Sequence, residues 1–325
     1  MVQGRSKECP VVMGKKQLSV STTEIEEPSK QTWDHVPLLA LAGLFLFIGV
    51  VWRNVDVFLL GLSESWLNIL PSKLFPLLII LGFFWFFRRN QITSVLGLKI
   101  EDTRRHVTLG IILGVALFLM GNAIASVIYW AFIDSSRDLS VTIIRPDLLW
   151  YSAIFFLINA VYEEILFRGA LQNGLREYVS VNRAILISAA IFGLYHLVWP
   201  FYFAGTGTLS TSHIFVYVVF SGLLGGVFGI YYEKFSSRRT LLGPIIAHWL
   251  INFLNENIKI STSEVIAGPD VLLGNPPIQM AIALLLVVIL YATSIIIFSK
   301  YLVDDLDGWL QRRRAQLRFR VQETP

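Results

Sequence analysis

Eight apolar runs divide the chain: 37–52, 74–87, 107–133, 148–167, 184–198, 214–232, 241–254 and 278–299. Polar, charge-bearing segments separate them. About 20 apolar residues make one transmembrane helix, so the longer runs have the length of a span. The 14-residue runs 74–87 and 241–254 have the length of buried or re-entrant segments as well. The first 36 residues are polar and mixed in charge, with no apolar core of signal-peptide length. No 20–50 residue repeat and no second domain are visible. The pattern predicts an all-α, polytopic transmembrane helical bundle of about eight helices. A polar N-terminal tail (1–36) precedes a membrane body (37–302), and a basic C-terminal tail (303–325) follows it.

The basic residues give this division a direction. Of the 27 Lys and Arg, 22 fall in alternate polar segments beginning with the N-terminal tail, and 5 fall in the others. Basic flanks resist translocation, so this alternation places both termini in the cytoplasm, and omitting any short run would break it. Composition agrees. The chain is 54% apolar and 15% charged, against roughly 25% charge in soluble domains, and its mean hydropathy is +0.61. A soluble enzyme, a disordered chain and a secreted disulfide scaffold are excluded. The single cysteine, Cys9, lies in the polar tail and allows no intrachain disulfide. The net charge of +4 needs no nucleic acid to explain it. Arg312, Arg313, Arg314, Arg318 and Arg320 read as a topology signal in contact with anionic lipid headgroups. The expected location is integral and multi-pass, in the plasma membrane if the source is prokaryotic.

Ionisable groups inside a span cost at least ~2.5–3.5 kcal/mol each, so the few that occur carry the most information. The fourth run holds Asn159, Glu163 and Glu164, with Arg168 just beyond; the fifth ends at His196; the seventh holds His248 and Asn252. Residues four apart share a helix face. Glu164 and Arg168 are therefore expected to form a supporting ion pair, while Glu163, which shares a face with Asn159, must find its partner on another helix. His248 and Asn252 present an imidazole and an amide together, and Phe192 sits one turn from His196. Depth adds a condition. His196 is 13 residues past Arg183, about 20 Å along a helix. Glu163 reaches the same depth only if its helix continues unbroken through Gly169 to about Glu177.

Such a convergence is compatible with hydrolysis, metal binding, or proton and ion transport. Peptide hydrolysis needs a base for water and donors for the oxyanion. Glu163 with His196 supplies the first, and His248 with Asn252 the second. Glu163, His196 and His248 could instead hold Zn²⁺ with one open position, although no H-E-x-x-H run is present. A coupled transporter is disfavoured by the lack of broken helices recurring in two halves. A non-catalytic scaffold or immunity protein is the remaining alternative.

The residues Glu163-Glu164-Ile165-Leu166-Phe167-Arg168 (EExxxR), Phe192 to His196 (FxxxH) and His248 to Asn252 (HxxxN) occur in that order, each in its own apolar run. Together they resemble the CPBP family of intramembrane proteases, which includes the type II CAAX prenyl endopeptidases and the lysostaphin-resistance-like bacterial proteins. The resemblance covers the motif-bearing core, about 148–255. It implies a metal-free glutamic endopeptidase with no cofactor. Glu163 and His196 would activate water, His248 and Asn252 would stabilise the oxyanion, and Glu164 with Arg168 would support the helix. The implied partners are membrane lipids and a peptide or protein substrate, prenylated in the CAAX case.

Among the other positions, the overlapping GxxxG patterns at Gly222, Gly225, Gly226 and Gly229 read as helix packing, and Trp199 with Tyr202 as an interfacial belt. Glu256 is expected to be solvated. His35 and His106 are expected to stand in flanks, and His213, at a span edge, to be an interface residue and not a ligand.

Overall fold

The computed structural model describes residues 35–60, 73–205 and 214–261, except 133, 137 and 145, together with isolated positions between 285 and 296. Cys9, His213, nearly all of the eighth run and the C-terminal arginines lie outside the described residues.

Each of the first seven apolar runs falls on helix. α1 (Leu38–Asn54) continues through a π-helical turn, Val55–Leu59; α2 (Phe75–Phe87) is followed by the short α3 (Ile92–Val95). α4 (Thr103–Phe118) passes through a second π turn, Leu119–Ile124, into α5 (Ala125–Phe132). α6 (Leu149–Glu164) leads through a π-helical stretch, Ile165–Gln172, into α7 (Asn173–Leu175). Then come α8 (Val181–Tyr195), α9 (Val198–Gly205), α10 (Ser221–Lys234) and α11 (Leu242–Asn257). Among the described residues, Leu38–Leu59 and Val181–Tyr202 are long and apolar enough to cross a membrane, and Phe75–Phe87 is apolar but shorter.

The helix that carries Glu163 runs unbroken over 149–175, across Gly169, as the depth argument requires, and ends two residues short of Glu177. Its π-helical part widens the turn just after Glu164, and all eight residues of that part are buried. Widening weakens the helical hydrogen-bond ladder, and π-bulges favour functional sites. Ser188 Oγ of α8 donates to the Phe167 carbonyl at 3.0 Å within this stretch.

Four-residue strands add a small element that the helical pattern did not predict. β1 (Ser140–Ile143) pairs antiparallel with β2 (Ile258–Ser261), with Ser140 opposite Ser261 and Ile143 opposite Ile258. Both segments are short and rich in β-branched residues, which favour extended backbone. The pairing joins the chain just before α6 to the chain just after α11. Asn257 Nδ2 donates to Ser152 Oγ at 2.7 Å, and Trp249 Nε1 to the Ala153 carbonyl at 2.9 Å. Helices α6 and α11 are thus fixed side by side along their length.

Close approach depends on glycine. A Cβ at Gly110 would come 2.7 Å from the Gly243 carbonyl oxygen, and one at Gly114 would come 2.8 Å from Leu250 Cβ, so α4 and α11 touch nearly backbone to backbone. At Gly193 of α8 the added carbon would lie 2.5 Å from the Val218 carbonyl oxygen. Gly225 and Gly229 of α10 face the 149–175 helix at matching intervals. Arg168 Nη2 donates to the Gly225 carbonyl at 2.9 Å, and Gln172 Nε2 to the Gly229 carbonyl at 3.3 Å. The glycine pattern therefore works as close packing combined with a two-rung polar ladder.

These contacts predict an asymmetric response to enlarging glycines. Gly114→Leu forces α4 from α11, and overpacking of this kind costs about 1–3 kcal/mol. Gly43 and Gly82 have nothing within 4 Å of an added Cβ and lie inside α1 and α2, so Gly43→Ala and Gly82→Ala keep stability or raise it by up to about 1 kcal/mol. Thermal unfolding of the purified protein in detergent, variant against wild type, measures the contrast.

Candidate functional site

Glu163 and Glu164 are consecutive residues on one turn of α6, and Glu163, Glu164, Arg168 and His248 are each at most 3% exposed. Two adjacent carboxylates in such surroundings remain charged only if other charges and hydrogen bonds compensate them. The compensation comes from several helices. Arg168 Nη1 donates to Glu164 Oε1 at 3.0 Å, the i,i+4 pair that helical spacing predicts. The Arg168 guanidinium also lies over the Phe192 ring, 4.5 Å from its centroid, and 5.5 Å from that of Phe228. Gly225 carries no side chain to displace it.

His248 stands on α11 between the two carboxylates. Its Nδ1 is 2.8 Å from Glu164 Oε1. A carboxylate oxygen accepts, so the proton on this contact belongs to Nδ1. Nε2 then faces Glu163 Oε2 at 3.5 Å, too far for the 2.7–2.9 Å of a charge-assisted hydrogen bond. The imidazole is stacked on Phe228, with centroids 5.1 Å apart and planes inclined by 23°. Glu164 therefore does more than neutralise Arg168: it holds the Nδ1 proton and the orientation of His248.

His196 caps the C-terminal end of α8. Its Nδ1 donates to the Phe192 carbonyl at 2.8 Å, which leaves Nε2 as the nitrogen available to a substrate or water. The Phe192 ring meets His196 edge to face at 4.9 Å, and lies 5.8 Å from His248. One phenylalanine thus supports both imidazoles and the arginine, which gives the first position of the FxxxH pattern a physical reason. His196 is an electrostatic neighbour of Glu163, but the imidazole whose nitrogen lies within 4 Å of the Glu163 carboxylate is His248. Asn252 is half-buried on α11, one turn beyond His248. Asn159 Oδ1, Glu163 Oε2 and Glu164 Oε2 are buried without a hydrogen-bond partner.

Glu163 finds its cation outside the three motifs. Lys73 Nζ, two residues before α2, is 3.8 Å from Glu163 Oε1, with both side chains nearly fully buried. Nearby, Arg53 Nη1 is 3.2 Å from Asp56 Oδ2, and the Arg53 guanidinium lies 4.7 Å from the centroid of Trp199. Trp199 thus covers a buried arginine, besides any part it plays at the interface. The sequence carried a signal for this second cluster: Arg53 and Lys73 are two of only five basic residues in the alternate segments that are poor in Lys and Arg. His106, expected only as a flanking residue, is buried against the Tyr231 hydroxyl at 3.3 Å, and Glu256, expected to be solvated, is half-buried. Among the described residues no three His, Cys, Asp or Glu side chains converge as a metal-binding group.

The arrangement offers a buried carboxylate whose Oε2 has no hydrogen-bond partner, two imidazoles whose Nδ1 protons are held by acceptors, and an amide: groups for moving a proton and holding a developing negative charge. Its stability rests on mutual pairing, since removing one member of a buried pair costs about 3–5 kcal/mol. Glu164→Gln and Arg168→Met each lower stability by an amount of that order, and the double variant loses less than the sum. A double-mutant cycle on thermal unfolding checks this, and additive losses would contradict the pairing.

Residues 145–254 match the family model described as type II CAAX prenyl endopeptidase Rce1-like. No curated protein matches the chain. The matched segment contains EExxxR, FxxxH and HxxxN and leaves Arg53, Asp56 and Lys73 outside. The match supports the CPBP, or CAAX protease, family for the segment that carries the three motifs.

Proposed function

We propose that this protein is a multi-pass intramembrane endopeptidase in which Glu163 activates water without a metal. The observation that carries the reading is the buried Glu163 carboxylate, whose Oε2 has no hydrogen-bond partner and lies 3.5 Å from His248 Nε2. Such an oxygen, next to imidazoles of fixed orientation, is suited to take a proton from water. The family supports a CAAX-type protease acting on a peptide or protein, and a prenylated CAAX peptide is the substrate class it suggests. Eight spans with both termini cytoplasmic are supported by the lysine and arginine bias.

A water oxygen bonds to the scissile carbonyl carbon as its proton passes to Glu163, with His196 Nε2 accepting a hydrogen bond from the same water. The carbonyl oxygen becomes an oxyanion, held by Asn252 Nδ2–H and by Nε2–H of a His248 protonated on both ring nitrogens. Collapse breaks the C–N bond, and the proton on Glu163 passes to the leaving amine. Glu164 and Arg168 touch no reacting atom; they hold His248 in place.

Cleavage of a prenylated CAAX peptide by the purified protein tests this, with and without a zinc chelator. Glu163→Gln loses roughly 10²–10⁴-fold in rate, the usual contribution of a positioned general base. His248→Ala and Asn252→Ala each lose roughly 10²–10³-fold, as for oxyanion donors. Chelation leaves the wild-type rate unchanged. Cleavage by Glu163→Gln at the wild-type rate, or its loss on chelation, would contradict the reading.

A further inference from the structure

Lys73 occupies a position that local rules disfavour. It lies in helical backbone two residues before α2 (Phe75–Phe87). It is buried, at 5% exposure, and it comes from one of the alternate segments that are poor in Lys and Arg. Residues that break local rules without a local gain concentrate at functional sites.

What compensates Lys73 is distant in sequence. Its Nζ is 3.8 Å from Glu163 Oε1, and Asp56 is a second carboxylate within electrostatic reach, with Arg53 a neighbouring cation. At 3.8 Å the contact to Glu163 is coulombic, beyond hydrogen-bond length. The two oxygens of Glu163 therefore have different surroundings: Oε1 faces the ammonium and Oε2 faces His248. The groups facing Glu163 from neighbouring elements are Lys73, His196, His248 and Arg53.

We propose that Lys73 is a positioning residue for Glu163: its ammonium holds Oε1 toward the start of α2 and so leaves Oε2 turned to the histidines and the reacting water. Without that charge, the carboxylate is drawn onto His248 Nε2 in a closed ion pair that occupies the oxygen needed for the proton. The inference rests on the reading of Glu163 as the base. Lys73 lies outside the matched segment 145–254, so nothing in the three motifs assigns it this part. A simple counter-ion would contribute to stability alone; a positioning residue changes turnover per folded molecule while the substrate-holding groups stay in place.

The experiment uses the full-length protein and a prenylated CAAX peptide, with rates normalised to folded protein. Lys73→Met lowers kcat roughly 10–100-fold, the usual cost of losing a group that orients a reactive one, with KM within about twofold of wild type. Lys73→Arg, which keeps the charge, recovers most of the loss. Should Lys73→Met not fold, Lys73→Gln gives the same contrast with the side-chain polarity kept and the charge removed. Wild-type kcat in the uncharged variants, or a change in KM alone, overturns the proposal. An inactive Glu163→Gln beside a fully active Lys73→Met overturns this proposal and spares the base; a fully active Glu163→Gln overturns both.

Discussion

Two carboxylates on consecutive residues, buried in one turn of one helix, set the terms for the rest of this molecule. Glu163 and Glu164 point to different neighbours because adjacent helix positions are about 100° apart. Glu164 turns to Arg168 and to His248 Nδ1; Glu163 turns to Lys73 and to His248 Nε2. A single imidazole thus bridges the pair, and a cation stands outside each carboxylate. Neither acid could remain in such a place alone, so α2, α10 and α11 have to meet α6 at this level.

The packing makes that meeting close. Gly225 lets Arg168 reach a backbone carbonyl, and Gly110 with Gly114 lets α4 press against the helix that carries His248. The π-helical stretch after Glu164 changes the register of everything beyond it. Arg168 and Gln172 thereby align with Gly225 and Gly229, and Asn173 reaches the Tyr232 hydroxyl at 2.9 Å. The β1–β2 pairing fixes the other ends of α6 and α11. The site is held from both sides by contacts that make no part of its chemistry.

Much of this was legible in the sequence because it follows from period and position. Apolar runs gave the helices, the i,i+4 rule gave Glu164 with Arg168, and comparing depths required an unbroken helix across Gly169. The partners of Glu163 were not legible in the same way. Lys73 is 90 residues away in sequence, and no periodicity links a lysine on one helical segment to a carboxylate on another. Spacing also could not show that His248, not His196, places a ring nitrogen within 4 Å of Glu163, since that depends on how α11 is rotated against α6. The π-helical turns and the short strands depend on tertiary contacts in the same way, because propensity alone does not specify either.

The claim that Glu163 acts on water as a base, and not as a nucleophile that bonds to the substrate, is tested most directly by one turnover in H₂¹⁸O with enzyme in excess of a prenylated CAAX peptide. Mass spectrometry then reads the new carboxylate of the product and the peptide containing Glu163. Direct attack by water places ¹⁸O in the product on the first turnover and leaves Glu163 unlabelled. An unlabelled first product, with ¹⁸O on the Glu163 carboxylate, would mean an acyl intermediate on the glutamate and would contradict the account.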